Sequence, residues 1–225
     1  MKIMKYKITG LFAGVLISTS SLIAQVQVSK EPRHKPVLEN NYLRLLDVWL
    51  PPGDTTLYHI HSTPSLFIYL NKAKISSQIK GQDWVNDESV TGFAWYNPFS
   101  PDILVHRVCN MDTLNFHVND IELLAPFAKN KSEQLKALDF PVLIDNEKAF
   151  AYQLNNSTIK KQKISGRGPM VAMLTIGEAV DFHNTKSNQV KKIRTGEYVY
   201  IEPGSFFYFS VIGTEKINMV LFEIK

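Results

Sequence analysis

Apolar positions along this chain fall in short runs rich in β-branched and aromatic residues, broken by Gly, Pro and Asn, while the i, i+3, i+4 spacing of an amphipathic helix is scarce. The pattern predicts strands at 43–50, 57–61, 66–70, 74–78, 92–96, 104–109 and 114–120. A second series is expected at 149–154, 169–174, 180–183, 190–193, 198–201, 206–210 and 217–224. Between them only 132–138 reads as a short helix, with Ser132 placed to cap it.

Two strand series of similar length suggest an internal duplication. Pro36-Val37-Leu38 with Asn40 is echoed by Pro141-Val142-Leu143 with Asn146. Gly53, five residues and His59 are matched by Gly177, five residues and His183, which requires an insertion in the second copy, placed at 155–167. The expected organisation is a leader at 1–24, a first module at 25–127 and a second at 128–225.

Composition adds little to the fold but bears on location and partners. Lys2, Lys5 and Lys7 precede a short apolar run and a small-residue stretch ending at Ala24, the layout of a secretory signal peptide and too short for a membrane span. The chain carries 25 Lys and Arg against 21 Asp and Glu, a net charge of +4. Loss of the leader removes three lysines and no acid, which leaves +1, so nothing calls for a nucleic-acid partner. The expected location is periplasmic or secreted, with no stable membrane insertion after cleavage. The single Cys109 has no intrachain partner, so packing must carry the stability.

The candidate chemistry sits in histidines. In Gly53-Asp54-Thr55-Thr56-Leu57-Tyr58-His59-Ile60-His61 a turn leads into a strand on which His59 and His61 share a face, because side chains alternate with period two. Pro101 leads another strand that carries His106 and, on the same face, Asn110. Three neutral imidazoles converging inside a barrel would bind a first-row divalent metal and leave positions open for water or substrate. Taken singly, His34 and His117 read as ordinary packed or surface residues. Trp84, Trp95, Tyr96, Tyr58 and Tyr69 read as packing aromatics.

Gly53, His59, His61, Pro101, His106 and Asn110 together resemble the two motifs of the cupin superfamily. The second half is similar through Gly177, His183 and the turn at 196–204. The resemblance implies an all-β chain of two tandem jelly-roll barrels, a bicupin, with a degenerate second barrel: Thr185 and Phe207 stand where its second and third histidines would be. It also implies a glutamate ligand at position 65 or 66, where this chain has Ser65 and Leu66.

Two readings of function follow. The first is an exported protein whose His59, His61 and His106 hold one divalent metal, Fe(II), Mn(II), Ni(II) or Zn(II) not being distinguished, and which acts as an oxygenase or isomerase on a small anionic substrate. The second is a non-catalytic module that binds a small ligand or serves a structural role. No general base is evident, and pairing through sheet faces into a homodimer is compatible with either.

Overall fold

The computed structural model describes residues 26–127, 135–159, 162–211, 213 and 215–225. The expected leader at 1–24 and residues 132–134 of the expected helix lie outside the described residues. The remainder of that segment, 135–138, is irregular rather than helical. Leu135 and Leu138 are instead drawn onto the core of the second half, and the Leu138 amide donates to the Tyr152 hydroxyl.

The first half supplies β1 (Val26–Gln27), β2 (His34–Glu39), β3 (Leu43–Leu50), β4 (His59–His61) and β5 (Ser65–Tyr69). It continues with β6 (Lys74–Ile79), β7 (Trp84–Glu88), β8 (Ala94–Asn97), β9 (Leu104–Asn110) and β10 (Phe116–Leu123). They form two five-stranded sheets, ordered β1-β4-β9-β6-β7 and β2-β3-β10-β5-β8. The second half supplies β11 (Val142–Asp145), β12 (Ala149–Asn155), β13 (Met170–Ile176) and β14 (Ala179–Asn184). It ends with β15 (Gln189–Arg194), β16 (Tyr198–Ile201), β17 (Phe207–Val211) and β18 (Asn218–Ile224). These make a five-stranded sheet β11-β12-β18-β13-β16 and a three-stranded sheet β15-β14-β17. The architecture is two tandem β-barrels, and among the described residues no helix is long and apolar enough to cross a membrane.

Every predicted strand forms, with small shifts at the ends. Four strands escaped prediction for identifiable reasons: β1 is only two residues long, β2 and β11 each hold a register irregularity beside the Pro-Val-Leu triplets, and β7 is exposed along its whole length, so no apolar alternation marks it.

The duplication is real in the sheet order, but its register differs from the sequence reading. The orders β2-β3-β10-β5-β8 and β11-β12-β18-β13-β16 correspond strand for strand, as do β7-β6-β9 and β15-β14-β17. Ser65 and Met170, Lys74 and Ala179, and Trp84 and Gln189 open corresponding strands 105 residues apart in each case, the offset of Pro36 from Pro141. His183 therefore lies on β14, the counterpart of β6, and is not the counterpart of His59. In the first barrel His59 pairs with His106, whereas in the second Ile164 bridges Phe207. Position 207 thus corresponds to His106 as expected, and His59 is replaced by Ile164. No insertion at 155–167 is needed.

Period-two alternation gives each strand of the sheet β2-β3-β10-β5-β8 two jobs. On β3, Leu43 and Leu45 face the second barrel while Val48 and Leu50 face the first barrel's interior; on β10, Ile121 faces out and Phe116 and Val118 face in. The outward set packs against Val171, Val220 and Phe222 of the second barrel, so a continuous apolar core joins the two. The second barrel's own interior is filled with large side chains, Phe150, Phe182, Phe207 and Phe209 among them.

Candidate metal centre

The turn Pro51-Pro52-Gly53 sets the position of β4. Gly53 adopts φ 75°, a conformation costly for residues with a Cβ, and its amide donates to the Asn110 carbonyl at the end of β9. That ties the beginning of the His59-His61 segment to the strand that carries His106. Asn110 is fully buried, and its side-chain amide donates to the carbonyls of Leu50 and Leu114 at 2.8 Å each. It anchors the end of β9 and does not line the site.

Antiparallel pairing of β4 with β9 sets His59 directly opposite His106. His61 Nε2 and His106 Nε2 are 3.1 Å apart, and the rings of His59 and His106 are centred 4.6 Å apart. All three residues line one cavity inside the first barrel. The structure adds a fourth histidine. His34, at the start of β2, is buried, and one ring nitrogen each of His34, His59 and His61 lie within 4.8 Å of one another.

The hydrogen bonds settle which nitrogens are free. His59 Nδ1 lies 2.9 Å from the Leu57 carbonyl, so it donates there, and Nε2, buried without a partner, keeps its lone pair. His34 Nδ1 donates to Glu31 Oε2 at 2.7 Å. Burial, reinforced by the neighbouring imidazoles of His34 and His106, pushes His59 down to about 3. Burial and His34 push His106 down to about 4, and burial with the adjacent histidines holds His61 lower still. His59, His61 and His106 are therefore neutral at pH 7, the state metal ligation requires. His61 Nε2 and His106 Nε2, 3.1 Å apart, can share one hydrogen bond, which leaves His59 Nε2 beside them with an unused lone pair. The three make a good set of ligands, because bonds of about 2.1 Å place adjacent ligand nitrogens about 3.0–3.4 Å apart.

Asp120 is the other unexpected member. It sits on the inward face of β10 with its side chain almost fully buried, and neither carboxylate oxygen has a hydrogen-bond partner. Oδ2 lies 3.5 Å from His61 Nδ1, which is also unpaired. Burial, with a smaller effect of Glu122, raises the carboxyl well above its ordinary range. A cation on the imidazoles would offset that cost, with Asp120 facing the outer nitrogen of a ligand. Positions 65 and 66 hold no carboxylate; Asp120 brings one to the cavity from a different strand.

The rest of the cavity, about 190 Å³, is walled by apolar and aromatic side chains, including Leu50, Phe67, Trp95, Val108 and Phe116. Phe67 stacks on Trp95 with ring centres 4.8 Å apart, and Phe99 stacks on His61 at 4.8 Å. Phe99 holds φ 47°, an outlier for a bulky residue, which places its ring over the histidine. Of the aromatics read from sequence as packing residues, Trp95 and Tyr69 line the cavity. Tyr96 packs at the core between the barrels, and Trp84 and Tyr58 clasp Arg107 outside the site. Asp102 is exposed in the turn before β9. His117 is away from the centre, stacked on Trp49 and hydrogen-bonded to Asp47.

His34 and Asp120 carry signals in the sequence that lie outside the cupin-like motifs. Glu31 and His34 form an acid–histidine pair three residues apart. Asp120 shares the alternate positions of Phe116 and Val118, so a lone carboxyl on the core-facing side of an apolar strand was visible in the order of residues.

No protein-family model matches the chain, and no curated protein does. Many solved structures match it at fold level. AerE from Microcystis aeruginosa superposes with a TM-score of 0.57 at 11% identity, covering 87% of this chain and 98% of that one. A salicylate 1,2-dioxygenase variant from Pseudoaminobacter salicylatoxidans, solved in complex with gentisate, gives 0.58 at 9% identity over 90% of this chain and 76% of that one. A cupin 2 conserved barrel domain protein from Leptotrichia buccalis gives 0.52 at 9% identity, covering 85% and 88%.

Proposed function

We propose that this chain, which has the fold of the cupin superfamily in two tandem barrels, binds one divalent metal ion at His59, His61 and His106 and acts there on a small anionic molecule. The observation that carries the reading is the convergence of three buried imidazoles on one cavity, with His61 Nε2 and His106 Nε2 3.1 Å apart and His59 Nε2 and His61 Nδ1 without hydrogen-bond partners. A bound metal would polarise a substrate oxygen or, as iron, support O2 chemistry.

The chain's own residues do the remaining work. Leu57 O holds the His59 ring by its Nδ1–H, and Asp120 faces the corresponding nitrogen of His61. The walls of Phe67, Trp95, Val108 and Phe116 exclude water and select a compact ligand with an apolar or planar body, since the cavity is smaller than the roughly 300 Å³ at which drug-sized pockets begin. Salicylate 1,2-dioxygenase, which shares the fold and whose variant was solved with gentisate, supports an oxygenase reading over an isomerase one.

The test is metal analysis of untagged protein beside the His59→Ala, His61→Ala double variant, followed by O2 uptake of the Fe(II)-loaded wild type with small hydroxy-aromatic acids. One metal per chain in the wild type and none in the variant is the expected result; equal content in both would remove the site. Metal without turnover would favour the binding-module reading. Export is part of the proposal, supported by residues 1–24, and the first residue of the mature protein in the envelope or medium checks it.

A further inference from the structure

We infer that His34 is a fourth metal ligand, delivered by an N-terminal strap, and that it takes the coordination role left open by Ser65. The inference rests on the metal reading above and concerns a residue outside the His59, His61 and His106 set.

The strap runs from Val26 to His34 and is fastened to the segment that carries the other ligands. β1 pairs in parallel with β4, Val26 opposite His59 and Gln27 opposite Ile60. Val28, in the three-residue 3-10 turn that follows, is buried. Glu31, only 1% exposed, accepts from the Leu57 amide at 3.1 Å, from the Arg33 amide at 2.8 Å and from His34 Nδ1 at 2.7 Å. Arg33 forks onto Asp54 at 2.8 and 3.0 Å. A buried carboxylate is costly without such partners. Here it spans the strap, the backbone beside β4 and the His34 ring at once.

The result is an imidazole whose Nδ1 is committed to an anion. Among the described residues no hydrogen bond reaches its other nitrogen, while its ring lies 4.5 Å from that of His59 and lines the cavity. A carboxylate behind a histidine fixes its tautomer and strengthens its donor nitrogen. Ser65, by contrast, is buried, has no carboxylate to offer, and donates its hydroxyl to the Thr63 carbonyl at 3.1 Å. The negative charge that a glutamate ligand would have brought directly to the metal would instead be supplied across the His34 ring, by Glu31 at Nδ1. Because a metal would bind the strap-docked form more tightly than the undocked one, metal binding and strap docking must strengthen each other.

The experiment uses the whole protein loaded with Co(II), read by visible absorption, by affinity in competition with a chelator, and by hydrogen exchange across 26–34. His34→Ala and His34→Gln are compared with wild type; the glutamine keeps a donor to Glu31 and guards against misfolding. Expected are a 10-fold or greater loss of affinity in both variants, a changed Co(II) spectrum, and loss of the metal-induced slowing of exchange in the strap. Glu31→Gln should weaken binding about 10- to 100-fold. Wild-type affinity, spectrum and strap protection in both His34 variants would overturn the inference while leaving the three-histidine site standing. Failure of the wild type to bind Co(II) would overturn both.

Discussion

His59 and His106 show how one side chain's environment decides its chemistry. Both lie in a buried cluster that burial and neighbouring imidazoles keep uncharged, near 3 and 4 rather than 6.5. In the unfolded chain each takes a proton near its ordinary value, so between about 6.5 and 4 the unfolded state binds more protons and stability must rise with pH. The metal-free protein is therefore expected to hold its full stability above about pH 7 and to lose it as pH falls. At pH 5 the loss is about 2 kcal/mol for each such histidine. Asp120, raised by burial, works in the opposite sense, because its protonated form is favoured in the fold. Glu31 sides with the histidines: burial pushes it up, but its bonds to His34 and the Leu57 amide prevail and hold it below its ordinary value, so its contribution is lost in acid. Urea midpoints at pH 7 and pH 5 check the balance. A midpoint unchanged between them would count against a neutral cluster, and the His59→Ala, His61→Ala variant should flatten the difference.

At the scale of elements, β9 and β10 carry the site because each has two different faces. β9 turns His106 and Val108 inward and Arg107 outward, where its guanidinium lies between the rings of Tyr58 and Trp84 at 4.7 Å from each. Its C-terminal end is fixed by Asn110, whose side chain also accepts from the Asp112 amide at 2.9 Å. Asn110→Ala leaves the carbonyls of Leu50 and Leu114 without their donor and is expected to cost about 1–3 kcal/mol. Chemical denaturation measures that cost, and a loss of metal affinity in the same variant would show that the strand end also positions His106. The helix expected at 132–138 illustrates a competing force: the pull of the apolar core on Leu135 and Leu138 outweighed weak local helical propensity.

At the scale of the molecule the two barrels share one apolar core. Phe222, 1% exposed, belongs to the core between them and to neither interior. Phe222→Ala is expected to destabilise the chain by about 3–5 kcal/mol, in a single transition that takes the proposed metal site down with it, although the residue is far from the histidines in sequence. Two separate transitions, with metal affinity surviving the first, would show that the barrels are independent. The second barrel is thus more than a remnant: with Ile164 and Phe207 in the register positions of His59 and His106, it offers the first barrel a sheet to pack on.

The sequence by itself determined what depends on near neighbours. Alternation with period two placed the strands and put His59 and His61 on one face, and the 105-residue echo of the Pro-Val-Leu triplets marked the true register of the duplication. The histidine at 183 misled because a glycine and a histidine at matching distance carry no information about which strand they occupy. Tertiary structure alone decided which residues share the cavity. His34 and Asp120 face the cavity because barrel closure brings β2 and β10 around to β4, and local pattern says which side of a strand a residue takes but not which sides will meet.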